Sequence, residues 1–120
     1  MAGEKIFETQ VRKYLESQGC WVLKTFSSGI QRSGVPDLLI CHNGRFIAME
    51  VKAVGGTFTD ELQPWNIRKI NKSGGIAGVL IPTEGVERFK RYIARKHPDY
   101  IDTPVYDFND LKHLIESDEP

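Results

Sequence analysis

From Glu4 to Gln18 the apolar residues Phe7, Val11, Tyr14 and Leu15 recur at helical spacing, and Gly19 supplies a stop. Cys20 to Phe26, rich in β-branched and aromatic residues, predicts a strand, and Ser27 to Pro36 a loop. Asp37 to Cys41 and Phe46 to Lys52 flank His42-Asn43-Gly44-Arg45. Because Asn-Gly accepts the positive φ angles of a two-residue type I′ turn, this stretch predicts a hairpin. Asp60 to Lys72 predicts a second helix, with Asp60 as N-cap and Gln63 completing a capping box. Pro64 then falls at the fourth helical position, where its missing N–H leaves no hydrogen bond unmade. Gly75 to Ile81 predicts a strand, and Glu84 to Lys96 a helix with Val86, Phe89 and Ile93 inward. A short strand over Val105 to Phe108 and a helix over Asp110 to Glu116 complete the chain. The order α-β-β-β-α-β with a helical extension predicts an α/β fold, a small mixed sheet flanked by helices.

The turn sets the hairpin's register: His42 pairs with Arg45, and each residue i with residue 87 minus i. Asp37 therefore faces Glu50, and Lys52 lies two residues further along the same face. Directly opposed residues have Cβ atoms about 4.5–5.5 Å apart, where like charges destabilise a sheet. Leu39, Cys41, Phe46 and Ala48 share the carboxylate face, and Leu38, Ile40, Ile47, Met49 and Val51 the other, so both faces of the hairpin are expected to be buried.

Two carboxylates opposed on a buried hairpin must share a proton or a cation, and Lys52 supplies one positive charge for two negative ones. Clustered hard oxygen ligands suit Mg²⁺ or Mn²⁺, which bind through one or two carboxylates together with waters and substrate phosphate. Each residue alone has an ordinary explanation. Asp37 after Pro36 fits a turn, and Glu50 with Lys52 fits an ion pair on an edge strand. Their conjunction with apolar flanks points instead to a phosphoryl-transfer site.

Gly34-Val35-Pro36-Asp37, the hairpin, Ala48-Met49-Glu50-Val51-Lys52, the following Gln63 and Gly74-Gly75-Ile76-Ala77 together resemble the PD-(D/E)xK nuclease superfamily. More narrowly, they resemble its VRR-Nuc branch, whose small stand-alone members occur in phages and bacteria and are similar to Holliday-junction resolvases. The resemblance spans roughly residues 4 to 82. It implies a restriction-endonuclease-like αβββαβ core in residues 1–106, followed by an acidic C-terminal helix and tail in 107–120. It also implies that Asp37 and Glu50 hold the metal with the Val51 carbonyl, and that Lys52 orients the attacking water and stabilises charge on the phosphate. Gln63 matches the family's glutamine, positioning Lys52 or the substrate, unless it serves the capping box. Relatives carry a helix-one glutamate near the metal, for which Glu8 is the better candidate and Glu4 lies one turn earlier, though a solvated helix charge fits as well. Ser27, Ser28 and Gly29 fall where relatives use a mobile Ser-Gly loop, and a plain loop explains them equally.

The resemblance thus implies a Mg²⁺- or Mn²⁺-dependent endonuclease on structured or branched DNA, a Holliday junction or a flap. Symmetric cutting of a junction needs two sites, hence a homodimer. The alternative is a non-catalytic nucleic-acid- or protein-binding module that keeps the fold, but such a module has no need for opposed buried carboxylates. A second enzymatic rival is a sequence-specific restriction-type nuclease, for whose base-reading domain 120 residues leave little room.

With 40% hydrophobic and 27% charged residues, the composition fits one globular domain. Cys20 and Cys41 read as reduced core residues, and no apolar run is long enough to span a membrane, so a cytoplasmic protein is expected. The 16 basic and 16 acidic residues cancel, which by itself disfavours a nucleic-acid binder. The average conceals a division: Lys24 to Lys72 holds seven basic against four acidic residues, and Asp107 to Pro120 five acidic against one basic. Arg88, Lys90, Arg91, Arg95 and Lys96 gather on the late helix, as a solvated face or a phosphate contact. Trp21 and Trp65 suit a core, a dimer interface or base stacking.

Overall fold

The structure, a computed structural model, describes residues 2–26 and 33–117. Helix α1 (Ala2–Ser17) closes with Gly19 N–H on the Glu16 carbonyl at 3.0 Å and Cys20 N–H on the Leu15 carbonyl at 3.1 Å. That closure requires a left-handed residue just past the helix, and Gly19 provides it at φ +79°. Strands β1 (Trp21–Lys24), β2 (Leu38–His42) and β3 (Arg45–Val51) form an antiparallel meander. Helix α2 (Leu62–Lys72) then crosses to β4 (Ile76–Leu80), and α3 (Val86–Lys96) to β5 (Val105–Tyr106), each strand parallel to the one before it. Helix α4 (Phe108–Glu116) follows. Strand order is β1-β2-β3-β4-β5, the mixed sheet flanked by helices that the element order implied.

Each sheet face has its own core. Leu38, Ile40, Ile47, Met49 and Val51 pack with Phe7, Val11 and Leu15 of α1 and with Leu111 and Ile115 of α4. On the opposite face Ala48, Ala77 and Val79 pack with Ile67 of α2 and with Phe89 and Ile93 of α3. Helices α2 and α3 cover the β3–β4–β5 part of that face but not its β1–β2 part. The expectation of a hairpin buried on both faces is therefore corrected there. Cys41 is exposed, Phe46 is 44% exposed, and the neighbouring Trp21 and Leu23 of β1 are 58% and 46% exposed. Cys20, under α1, is buried as expected.

The asparagine-glycine turn has φ +52° at Asn43 and +76° at Gly44, and β2 and β3 pair as Leu38–Met49 through His42–Arg45, the register expected. Helix α4 starts two residues earlier than expected because Asp107 caps it. The Asp107 side chain accepts the Asp110 N–H, and the Asp110 side chain accepts the Asp107 N–H. No described helix is long and apolar enough to cross a membrane.

Candidate active site

The Gly34-Val35-Pro36-Asp37 segment enters the sheet between β1 and the start of α2. Gly34 has φ +78°, and a Cβ there would lie 2.6 Å from the Leu62 carbonyl carbon, so only glycine lets this segment lie on α2. Thr25 holds its other side: the Thr25 N–H donates to the Asp37 carbonyl at 2.8 Å, and Thr25 Oγ1 to the Pro36 carbonyl at 2.8 Å.

Proline at position 36 has a specific consequence. Extending the Leu38–Met49 register would make Pro36 and Val51 the next hydrogen-bonded pair, and proline has no N–H to give to the Val51 carbonyl. The Val51 N–H turns instead to Asp37 Oδ2 at 2.8 Å. Ladder pairing thus stops where the carboxylates begin. Asp37 is anchored by backbone, and the Val51 carbonyl lacks the donor that another residue at 36 would supply.

Glu50, on β3, is 3% exposed. Its Oε2 accepts from Gln63 Nε2 at 2.9 Å and faces Lys52 Nζ at 3.4 Å, whereas its Oε1 is buried without any hydrogen-bond partner. Burial, and next the charge of Asp37, push the Glu50 carboxyl up to about 8. Burial also raises Asp37 above the usual carboxylate range, opposed by the Val51 N–H. Lys52 is 6% exposed and serves both sides, its Nζ donating to Gln63 Oε1 at 3.2 Å. One ammonium serves two acids, and in the metal-free fold the raised Glu50 carboxyl meets the shortfall with a proton hydrogen-bonded to Asp37.

Gln63 does not close the capping box expected of it. Helix α2 begins at Leu62 after an uncapped Glu61. Asp60 Oδ1 accepts the Leu62 N–H at 2.8 Å, and Pro64 falls at the third helical position. The Gln63 amide instead bridges Glu50 and Lys52 while its Oε1 accepts the Thr59 N–H at 2.9 Å. Two buried charged groups needing partners outcompete a local cap.

Helix one brings two glutamates with different surroundings. Glu8 is buried, and its Oε1 is taken by Lys24 Nζ at 2.8 Å. Glu4 is raised above the usual carboxylate range by burial and next by Asp37, with Lys52 opposing, so its carboxyl senses the cluster directly. Ser27, Ser28 and Gly29 lie outside the described residues. Trp21 and Trp65 are exposed, not core. His97 lies apart, bonded through Nε2 to Tyr92 Oη at 2.8 Å. A cleft of about 740 Å³ near Arg45, Lys69 and Gly74 is at the other end of α2, away from the carboxylates.

The described residues contain no group of three or more His, Cys, Asp or Glu placed to hold a metal. What they offer is a smaller, all-oxygen set: Asp37, the unpartnered Glu50 Oε1 and the Val51 carbonyl. That donor chemistry fits a hard divalent cation that keeps several waters. The sequence points to the carboxylates and the lysine that the structure brings together, but not to Pro36 as the residue that leaves the Val51 carbonyl without a ladder donor. The signal was present, since the hairpin arithmetic already places 36 opposite 51.

A family model described as archaeal Holliday junction resolvase (Hjc) matches residues 2–75, more than half of the chain. No curated protein and no solved structure matches.

Proposed function

The chain belongs to the archaeal Holliday junction resolvase family, and from that premise we propose that it hydrolyses phosphodiester bonds in four-way DNA junctions using Mg²⁺ or Mn²⁺. The observation that carries this reading is Glu50: a carboxylate held buried opposite Asp37, with one oxygen unpartnered and one lysine to balance two acids. Asp37, Glu50 and the Val51 carbonyl would hold the cation. Bound there, it supplies Lewis acidity and lowers the pKa of an attacking water.

The chain's own residues do the rest. Gln63 ties Lys52 to Glu50 in one rigid frame, so the ammonium is fixed in position before substrate arrives. From there Lys52 orients water and stabilises the negative charge that develops on the phosphate. Glu4 adds a half-buried carboxylate at the edge of the cluster, placed to bind water. Symmetric incision of a junction needs two such centres, so the proposed working form is a two-fold homodimer. The exposed apolar residues Trp21, Leu23 and Phe46, with Trp65 on α2, support it. Kinship with the VRR-Nuc branch is proposed on the Gly34–Asp37 and Glu50–Lys52 blocks, and flaps are a second branched substrate to compare.

The test is cleavage of labelled four-way junction, flap, duplex and single-stranded DNA with Mg²⁺, Mn²⁺ or EDTA, beside Lys52→Ala. Paired, metal-dependent nicks in the junction that vanish in Lys52→Ala are expected. No cutting of any substrate, or unchanged cutting by Lys52→Ala, overturns the reading.

A further inference from the structure

Three residues after Lys52 the chain enters Gly55-Gly56-Thr57, and this loop forms one wall of a cleft of about 370 Å³ whose other wall is α3. Three guanidinium groups line it. Arg88, Arg91 and Arg95 stand at spacings of three and four on one face of α3, all exposed. None of the three has a hydrogen bond or ion pair among the described residues. Helix α3 carries one acid, Glu87, and its ion-pair partner is Lys90 at 3.9 Å. Three like charges side by side repel, and no acid among the described residues pairs with them.

The loop is shaped to receive what the arginines lack. Gly55 has φ +84°, and a Cβ there would lie 3.1 Å from Arg88 Nη1, so the guanidinium rests where a side chain would otherwise stand. The N–H groups of Gly55 and Thr57 have no acceptor among the described residues, whereas Gly56 N–H is used by the Ala53 carbonyl at 2.8 Å. The loop is anchored to α3 at the cleft itself. Phe58 N–H donates to Tyr92 Oη at 3.0 Å, and the Phe58 ring packs edge-on against Phe89 at 5.3 Å between centroids. Unpaired backbone donors beside unpaired guanidiniums are the chemistry of phosphate recognition.

We propose that the cleft between the Gly55-Gly56-Thr57 loop and Arg88, Arg91 and Arg95 binds the sugar-phosphate backbone of the DNA substrate beside the catalytic centre. The proposal rests on the nuclease reading above and adds a contact outside the catalytic cluster. Two observations favour a strand over a single free phosphate. The arginine row rises about 10 Å along the helix, longer than a single phosphate needs and enough to meet two successive phosphates of one strand. The loop also touches the centre itself, since a Cβ on Gly56 would lie 3.3 Å from Lys52 Cβ. A strand lying in the cleft therefore continues toward Lys52.

The experiment measures junction binding by the 120-residue chain in EDTA, where no cutting occurs, across a salt series. It compares wild type, Arg88→Ala/Arg91→Ala/Arg95→Ala, the corresponding triple lysine variant, and a charge-matched control on the opposite sheet face, Arg12→Ala/Lys13→Ala/Lys112→Ala. The arginine-to-alanine variant should bind about 30-fold or more weakly near 0.1 M salt, with a log–log salt slope shallower by about two to three. The triple lysine variant should fall between it and wild type, and the control should stay within about threefold of wild type. Thermal melts confirm that each variant folds. If the alanine variant matches the control in affinity and slope, the proposal is overturned. It is also overturned if orthophosphate, exchanged for chloride at constant ionic strength, binds through these arginines while their loss leaves junction affinity unchanged, because the site then serves a free anion. Arginine-dependent binding by a wild-type chain that cuts nothing with Mg²⁺ or Mn²⁺ supports the contact and removes only the catalytic reading.

Discussion

Gln63 and Glu50 are joined across the site, Nε2 to Oε2 at 2.9 Å, while the other end of the same amide accepts Lys52 Nζ at 3.2 Å. An amide can donate to a carboxylate and accept from an ammonium at once, through two separate atoms. Its exchange for alanine leaves both groups buried and under-bonded. Gln63→Ala is expected to lower single-turnover cleavage about 10–100-fold, with loss of divalent-ion affinity of similar size. Gln63→Glu keeps the acceptor for Lys52 but sets a third carboxylate against Glu50, and should be at least as damaging. Rates equal to wild type in both variants would show that the bridge does not position the lysine.

Glu50 makes stability depend on pH in a direction opposite to that of most paired carboxylates. Its carboxyl sits at about 8 in the fold against an ordinary 4.5. Between these values the folded chain holds a proton that the unfolded chain has released, so metal-free stability falls as pH rises through that interval. Raised values at Asp37 and Glu4 act in the same sense. Urea denaturation in EDTA should show this decline from about pH 5 to about pH 8, and Glu50→Gln should flatten it. Equal slopes in the two proteins would place the proton elsewhere. Mg²⁺ or Mn²⁺ added to the wild type near neutral pH should release protons, measurable by calorimetry in buffers of different ionisation enthalpy.

The Asp37–Glu50 encounter was legible because a two-residue turn converts register into arithmetic, and a one-residue slip would have turned every apolar side chain to the wrong face. The fold class followed from the element order for a similar reason: each element had its own period and its own stop. Other features depended on contacts that no local pattern encodes. Asp60 and Gln63 have capping-box spacing, yet the buried Glu50 and Lys52 claimed the amide. Cys41 sits in an apolar run, but α2 and α3 cover only the β3–β4–β5 part of that face and leave it exposed. Glu8 has the better spacing to the end of α1, whereas Lys24, a strand away, takes its carboxylate and Glu4 is the one that senses Asp37.

Helix α4 lies within the stretch that the sequence set apart as an acidic extension, yet Leu111 is fully buried and Ile115 is 3% exposed in the core beneath α1. Leu111→Ala is expected to cost about 2–5 kcal/mol by chemical denaturation, as removal of a packed leucine does elsewhere. An exposed change on the same helix, Asn109→Ala, should stay within about 0.5 kcal/mol. A Leu111→Ala variant as stable as wild type would mean that α4 is dispensable to the fold.

Pro36 gives the sharpest test of how the backbone contributes to the site. In the extended hairpin register an alanine at 36 would carry an N–H facing the Val51 carbonyl, free to complete the ladder pair that proline prevents. Completion would occupy a carbonyl lone pair and draw the Val51 N–H away from Asp37 Oδ2, its partner at 2.8 Å. Pro36→Ala should therefore weaken Mn²⁺ binding about tenfold, on the scale of other losses around a metal's ligands, and slow cleavage at limiting metal. High Mn²⁺ should restore most of the rate, because Asp37, Glu50 and Lys52 all remain. The same variant loses proline's restriction of the unfolded chain, which alone lowers stability by about 0.4–1 kcal/mol, while the recovered hydrogen bond adds about 1 kcal/mol back. Melting temperature should thus stay close to wild type while metal affinity falls. If both fall together, Pro36 serves the fold and not the carbonyl; if neither falls, Val51 does not contribute to the site.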